Sequence, residues 1–245
     1  MRLVNHLQRE RKKTMKMSIT AVFIIAFILL LSISTIVLAQ EESAAVEGQS
    51  EQESEEESVV NLTADQVTYD KDNDQMVFTG NVIIVQEDTT LTAQKASFNV
   101  DTKVGQIEGN VQLVDDDITI TGEQLEAFLN DKRYIFQNQV QLVQAREDNE
   151  GNEDNLQWNC NRLEIFTETR NMTATGSVKI DKKDYSISTE EAIYNDEEDK
   201  ISLTSQVKIE EIENDRQISG DQAVFYIEDD KLEVTGNVKS SIKLD

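Results

Sequence analysis

The chain has no proline, one cysteine, one histidine and one tryptophan in 245 residues, and only nine glycines. Each shortage excludes something. One cysteine cannot build a disulfide framework, and one Cys with one His cannot complete a zinc site. Without proline there is no polyproline linker. Basic residues are also scarce, 23 against 48 acidic, for a formal net charge of −25. A chain with so few clustered bases cannot release counterions from a phosphate backbone, so no nucleic-acid partner is expected. The length suits one or two domains with a real core.

The bases that do occur are concentrated at the start. Arg2, Arg9, Arg11, Lys12, Lys13 and Lys16 face a single acid, Glu10, and Met17 to Gln40 then runs without a charge. A basic segment before an apolar run directs the remainder out of the cytoplasm. Val37-Leu38-Ala39 fits a signal-peptidase site, while the run is also long enough to stay uncleaved as a membrane anchor. Residues 1–39 are therefore read as a signal peptide or anchor, with a tether to the inner membrane through 17–40 in the second case. Removing them takes six of the 23 bases and one of the 48 acids, leaving 17 against 47, a net −30. It also takes the only histidine, His6. Residues 40–58, with eight Glu and no base, bury too little apolar surface to order and read as an acidic linker.

The rest, 59–245, is a repeat. Gly-Asn-Val recurs at 80–82, 109–111 and 236–238, each Gly 18 residues after an apolar residue: Leu62, Leu91 and Ile218. The same offset joins Ile120 to Asn138-Gln139-Val140, Trp158 to Gly176-Ser177-Val178 and Ile187 to Ser205-Gln206-Val207. Six units start at 62, 91, 120, 158, 187 and 218, spaced by 29, 29, 38, 29 and 31; the long step holds a polar insert, 145–155, read as a loop. Each first half follows a shared pattern, from Leu62-Thr-Ala-Asp-Gln-Val-Thr-Tyr69 to Ile218-Ser-Gly-Asp-Gln-Ala-Val-Phe225. Turns rich in Asp, Asn and Lys follow it, and each second half alternates apolar and polar residues with a period of two. Every unit is thus a pair of antiparallel strands, giving at least twelve strands and no helix beyond the N-terminal apolar one. Stacked units form ladders: Val82, Val111, Val140, Val178, Val207, Val238; and Phe78, Ile107, Phe136, Ala174, Leu203, Val234. The column Gly80, Gly109, Asn138, Gly176, Ser205, Gly236 is expected to bend every strand at one level. The architecture expected is all-β, elongated and two-walled, apolar inside and polar outside.

Residues 64–99 resemble the OstA-like (LptA) family of lipopolysaccharide-transport proteins. The matching motifs are Ala64-Asp65, Tyr69-Asp70, Phe78-Thr79-Gly80-Asn81-Val82 and Leu91-Thr92-Ala93; the likeness is strongest over 62–113 and recurs at 218–238. The resemblance implies a β-jellyroll open along one side. It implies a periplasmic, non-enzymatic role in carrying lipopolysaccharide, or another acylated lipid, for outer-membrane assembly, with acyl chains in the apolar interior. It further implies head-to-tail strand addition with itself and with other transport components. The lumen would be lined in the first units by Val67, Tyr69, Phe78, Val82, Ile84, Phe98, Ile107, Val111 and Leu113. Further along it would be lined by Phe136, Val140, Leu142, Val178, Ile180, Leu203, Val207, Ile209 and Val238. Independently, an apolar two-walled sheet can hold an alkyl chain at about 0.8 kcal/mol per buried methylene. The end strands would be unpaired, making Val59, Leu62, Val67, Val234, Val238 and Ile242 candidate joining edges.

Other signals are weaker. The segment Asp70-Lys-Asp72-Asn-Asp74 opens like a calcium loop, but Gln75 and Asn81 stand where Gly and Glu are required, so a hairpin turn is expected. Asp115-Asp116-Asp117 reads as a turn, with weak cation binding left open. Cys160 aligns with Ala64 and Trp158 with Leu62, both read as core; no catalytic constellation, cofactor or metal site is expected. A −30 domain repels an anionic lipid, so contact would come from acyl burial, screening ions or bases such as Lys95 and Lys103; adaptation to high salt also accounts for the charge. Two rivals stand beside the carrier: a ligand-free β-solenoid scaffold, and an anchored component resembling LptC if Ala39 is not cleaved.

Overall fold

The computed structural model describes residues 60–145, 153–212, 216–226 and 231–242. The expected leader, the acidic linker, Val59 and the centre of the insert lie outside the described residues. Fourteen strands form one antiparallel sheet. The first unit holds β1 (Asn61–Thr63), β2 (Gln66–Asp70) and β3 (Gln75–Gln86). The second holds β4 (Thr89–Asn99) and β5 (Val104–Asp115); the third holds β6 (Ile118–Phe128) and β7 (Arg133–Gln144). The fourth holds β8 (Leu156–Phe166) and β9 (Asn171–Lys182), the fifth β10 (Tyr185–Asn195) and β11 (Lys200–Glu211). The sixth holds β12 (Arg216–Tyr226), β13 (Lys231–Thr235) and β14 (Lys239–Ile242). Strands pair in sequence order from β3 to β12; β1 and β2 share β3, and β13 and β14 share β12. The six two-strand units therefore appear as expected, with the first and last legs each broken in two.

The break comes at the level where every unit bends. Register jumps between Thr79 and Val82, Glu108 and Val111, Gln137 and Val140, Thr175 and Val178, and Thr204 and Val207. At each jump two consecutive residues hold positive φ. Gly80 and Asn81 are at 77° and 45°, Gly109 and Asn110 at 82° and 50°, Asn138 and Gln139 at 63° and 52°. Gly176-Ser177, Ser205-Gln206 and Gly236-Asn237 do the same. The Gly-Asn-Val motif is thus a two-residue left-handed step in the middle of a strand, followed by a valine turned inward. Gly and Asn populate that region at least cost.

A second column seats this step. Fifteen residues before each Gly position stands a polar side chain: Asp65, Gln94, Glu123, Asn161, Glu190 and Asp221. Asp65 N donates to Gly80 O at 2.9 Å, and Asn81 Nδ2 donates to Asp65 Oδ2 at 2.9 Å. The last unit repeats both bonds, Asp221 N to Gly236 O at 2.9 Å and Asn237 Nδ2 to Asp221 Oδ2 at 2.8 Å. In the third unit Gln139 Nε2 donates to Glu123 Oε1 at 2.8 Å. The polar side chain lies where a Cβ would stand: one added to Gly109 would meet the Gln94 Cβ at 2.8 Å.

The step creases the sheet into two leaves whose inner faces cover each other. Inward residues of both leaves form a single buried cluster, from Val82 to Ala223, and no helix among the described residues contributes to it. Four-residue turns close one rim, each ending in a left-handed residue: Asp74, Lys103, Lys132, Arg170 and Asp199. Side chains cap them, with Thr102 N donating to Asn99 Oδ1 at 2.7 Å and Glu198 N to Asn195 Oδ1 at 3.0 Å. Two-residue turns, such as Glu87-Asp88 and Asp116-Asp117, close the other rim, where the insert joins β7 to β8.

Replacing Gly109 by Val should cost about 1–3 kcal/mol, because a β-branched residue is forced left-handed against Gln94. Gly109→Asn, which copies the third unit, should cost clearly less. Urea unfolding of both variants measures the difference.

Candidate functional site

The candidate lumen residues separate into a filled middle and uncovered ends. Val82, Ile84, Phe98, Ile107, Val111 and Leu113 are buried, as are Phe136, Val140, Leu142, Val178, Ile180, Leu203, Val207 and Ile209. Phe78 is half-buried. Val67, Tyr69 and Val238 are instead 58%, 49% and 52% exposed. Val67 pairs with Phe78 and Tyr69 with Met76, so both share the inward face. Among the described residues no strand lies beyond β2 to cover them. Val238 falls in the gap between β13 and β14 at the crease level.

The middle is filled to contact. Phe136 is 0% exposed, and Trp158, Tyr134 and Tyr194 are among the largest fully buried side chains. Side chains so completely covered leave no water-sized space beside them, so the interior between units three and five is packed rather than hollow. Burial pushes the Tyr134 and Tyr194 hydroxyls above the ordinary tyrosine range, and Asp196, which accepts from Tyr194 Oη at 3.1 Å, adds to the second shift. The candidate set omits Leu125, Leu163, Ile165, Met172, Tyr134 and Tyr194, all buried inward residues. Most stand at positions six and eight of the first-half pattern, where Val67 and Tyr69 stand in unit one; Tyr134 and Met172 form a column with Met76 and Ile201.

The edges are short. β1 and β2 span three and five residues and β13 and β14 five and four, against 11 or 12 for every strand between. Leu62 and Val234 are half-buried at these edges. Ile242 ends β14, opposite Arg216. The candidate edge strands are thus the terminal ones, and Val59 lies outside the described residues.

The remaining sequence signals resolve into structure. Cys160 is buried at the position that Ala64 holds in the first unit, and burial pushes its thiol up to about 11, which disfavours the thiolate form. The calcium-like segment is a capped turn: Asp70 Oδ1 accepts from Asp72 N at 3.0 Å and Asp70 Oδ2 from Asn73 Nδ2 at 2.7 Å, while Asp74 Oδ1 accepts from Tyr69 Oη at 3.0 Å. Lys95 is paired with Glu108 at 3.2 Å on the outer face. Also on the outer face, Glu164 bridges Arg133 at 3.1 Å and Arg162 at 2.7 Å. Burial alone would push the Glu164 carboxyl up, but the hydrogen bonds and charge of these two arginines hold it below its ordinary value. No three His, Cys, Asp or Glu among the described residues are placed to hold a metal ion.

One sheet creased over its own apolar face, and unclosed among the described residues, defines a jellyroll-like β-roll. The sequence matches the family described as LptA/(LptD N-terminal domain) LPS transport protein over residues 61–108 and 92–231. The two spans together cover 61–231, 171 of 245 residues, and the chain belongs to this family. No curated protein matches the chain. Among solved structures it is similar to the crystal structure of LptH, described as the LptA homologous periplasmic component of the lipopolysaccharide transport device from Pseudomonas aeruginosa. Identity is 12%, with 77% of this chain and 97% of that chain covered and a TM-score of 0.22.

Phe136→Ala should destabilise the fold by about 3–5 kcal/mol. Val67→Ala, on the same face but uncovered, should change stability by no more than about 0.5 kcal/mol. Denaturant titration of the two variants reads both. Cys160 should resist a thiol reagent in buffer and react at once in denaturant.

Proposed function

We propose that this chain carries lipopolysaccharide, or a related acylated lipid, outside the cytoplasm without enzymatic chemistry, holding acyl chains against the inner face of the roll. Membership of the lipopolysaccharide-transport family carries this reading. The uncovered inward residues at the ends, Val67, Tyr69 and Val238, support it as places where a chain or a neighbour is seated first. Each methylene buried there contributes about 0.8 kcal/mol, so a few carbons offset long-range repulsion between an acidic protein and an anionic headgroup. To reach the middle units an acyl chain must part the two leaves, since their side chains already touch.

Assembly is proposed to run end to end. β1–β2 at one end and β13–β14 at the other leave backbone groups unpaired, and the apolar residues beside them would be covered by a second roll. The export of residues 40–245 by a cleaved or anchoring leader belongs to the same reading.

A second reading, a ligand-free structural β-roll, is favoured by the packed middle. Photo-crosslinkers placed at Phe78, Ile107 and Phe136, with Glu108 as the outward control, decide between the two. Lipid labelling at the inward positions is the expected result, strongest at Phe78. Labelling confined to Glu108, or none, overturns the carrier. Crosslinks between Val67 and Val234 of separate molecules are expected to accompany assembly.

A further inference from the structure

The acid of this domain is not spread evenly. It gathers in the turns of both rims, as Asp72, Asp101 and Glu198 on one and Glu87, Asp88 and Asp116 on the other, and beside the crease, as Asp65 and Asp221. One broad surface is free of it. On the outer side of the leaf that ends in the two-residue turns, Val114 pairs with Thr90 and Thr119. These pair with Val85 and Val143, and those in turn with Asn61 and Gln157. A second row lies nearer the crease, with Gln112 between Thr92 and Thr121, then Ile83 and Gln141, and Thr63 and Asn159 at its ends. Both rows alternate with buried residues such as Leu91, Leu113 and Ile120, so they face outward. From β1 to β8 neither row holds a charged residue. Ile83 and Val114 are 39% and 38% exposed.

The neutrality is local. Over the same units the outward rows of the other leaf carry Lys95, Glu108, Glu126, Arg162 and Glu164. Past β8 the two neutral rows themselves become charged, with Lys179 paired to Asp181 at 2.8 Å and Lys208 to Glu210. The uncharged part is also symmetric. β5 has β1, β3 and β4 on one side and β6, β7 and β8 on the other. Outward from Val114, either direction gives a threonine, then a valine, then an amide. Val85 and Val143 each stand one repeat away from Val114, so the repeat itself produces this symmetry.

We propose that this face pairs with the same face of a second copy, about a two-fold axis running along β5. Such an interface is isologous. Val114 then lies on its own copy, Thr90 on Thr119, Val85 on Val143 and Asn61 on Gln157, so valine meets valine and amide meets amide. Two sheets meeting in this way pack about 10 Å apart. Charge selects the occupant. Two acidic rolls repel wherever rims or creases approach, and this face lets them meet without opposing two carboxylates. The segments that join the face from outside the described residues, the acidic linker before β1 and the centre of the insert after β7, carry Glu55, Glu56, Glu147 and Asp148. An uncharged face offers them no countercharge. The face is about 30 Å across its strands and about 13 Å along them. Pairing therefore buries on the order of 800 Å² in total, below the 1,200 Å² or so of a stable complex. The dimer is accordingly weak and concentration-dependent. It engages the outer side of the sheet and not its terminal edges.

Cysteine crosslinking of the full chain tests the pairing, with Cys160→Ala removing the native thiol. Under mild oxidation Val114→Cys should form a disulfide with its own copy. Gln106→Cys, outward on the other leaf, should not. A mixture of Val85→Cys chains and Val143→Cys chains should give the mixed dimer, which keeps the test open if a Val114 variant fails to fold. In sedimentation equilibrium Val114→Lys should weaken self-association by about tenfold or more, since it sets like charges together at the axis. The same variant should leave the crosslinks expected between Val67 and Val234 unchanged. Added salt should strengthen the pairing, because it screens the acids of the rims. Equal crosslinking at Gln106→Cys would mean random collision. A reactive Val114→Cys thiol that forms no dimer would mean that the face stays bare, and an unreactive one in the monomer that another part of the chain covers it. Each of these results overturns the proposal.

Discussion

Two left-handed residues in the middle of each unit are the constraint on which this structure rests. An antiparallel sheet one layer thick has no core, since each apolar face looks for a cover. Here no helix and no second sheet supplies one among the described residues. The left-handed step, carried by the second strand of each unit, supplies it by bending the sheet at a common level, so that one leaf covers the other. The cost of positive φ is held down by Gly and Asn and by the polar column seated over them.

The same crease sorts charge from apolar surface. Inward positions take Val, Ile, Leu and aromatics; outward ones take Glu, Lys, Gln and Thr, and ion pairs such as Lys95–Glu108 and Lys208–Glu210 lie exposed. Such pairs contribute little each. Cohesion therefore comes from burial, and the surplus of acid sits where water and salt screen it. Asp115 departs from that division, an acid on the inside.

Much of this was legible in the sequence, for an identifiable reason. A repeat writes its geometry six times, so the Gly-Asn-Val column, the inward valines and the bend showed through degenerate copies such as Asn138-Gln139-Val140. The extent of filling was not legible. Tyr134, Met172 and Tyr194 lie near strand ends, where alternation blurs into turns, and which leaf covers them depends on contacts between residues far apart in the chain. The exposure of Val67, Tyr69 and Val238 was hidden for the opposite reason. They obey the same pattern as their buried equivalents, and they stand uncovered because no neighbouring strand lies over them among the described residues. Asp115 was read with its two neighbours because three aspartates resemble a turn; the strand continues one residue further than composition suggests.

The broken terminal legs have a further consequence. A flat extended strand arriving at either end can follow one leaf only, since the edge changes direction at Asp65 or Gly236. To complete the row it must itself bend at that height, with two left-handed residues in phase. Any junction at these ends would thereby favour chains with the same internal period over the indiscriminate stacking of unrelated strands that is the usual hazard of an open sheet.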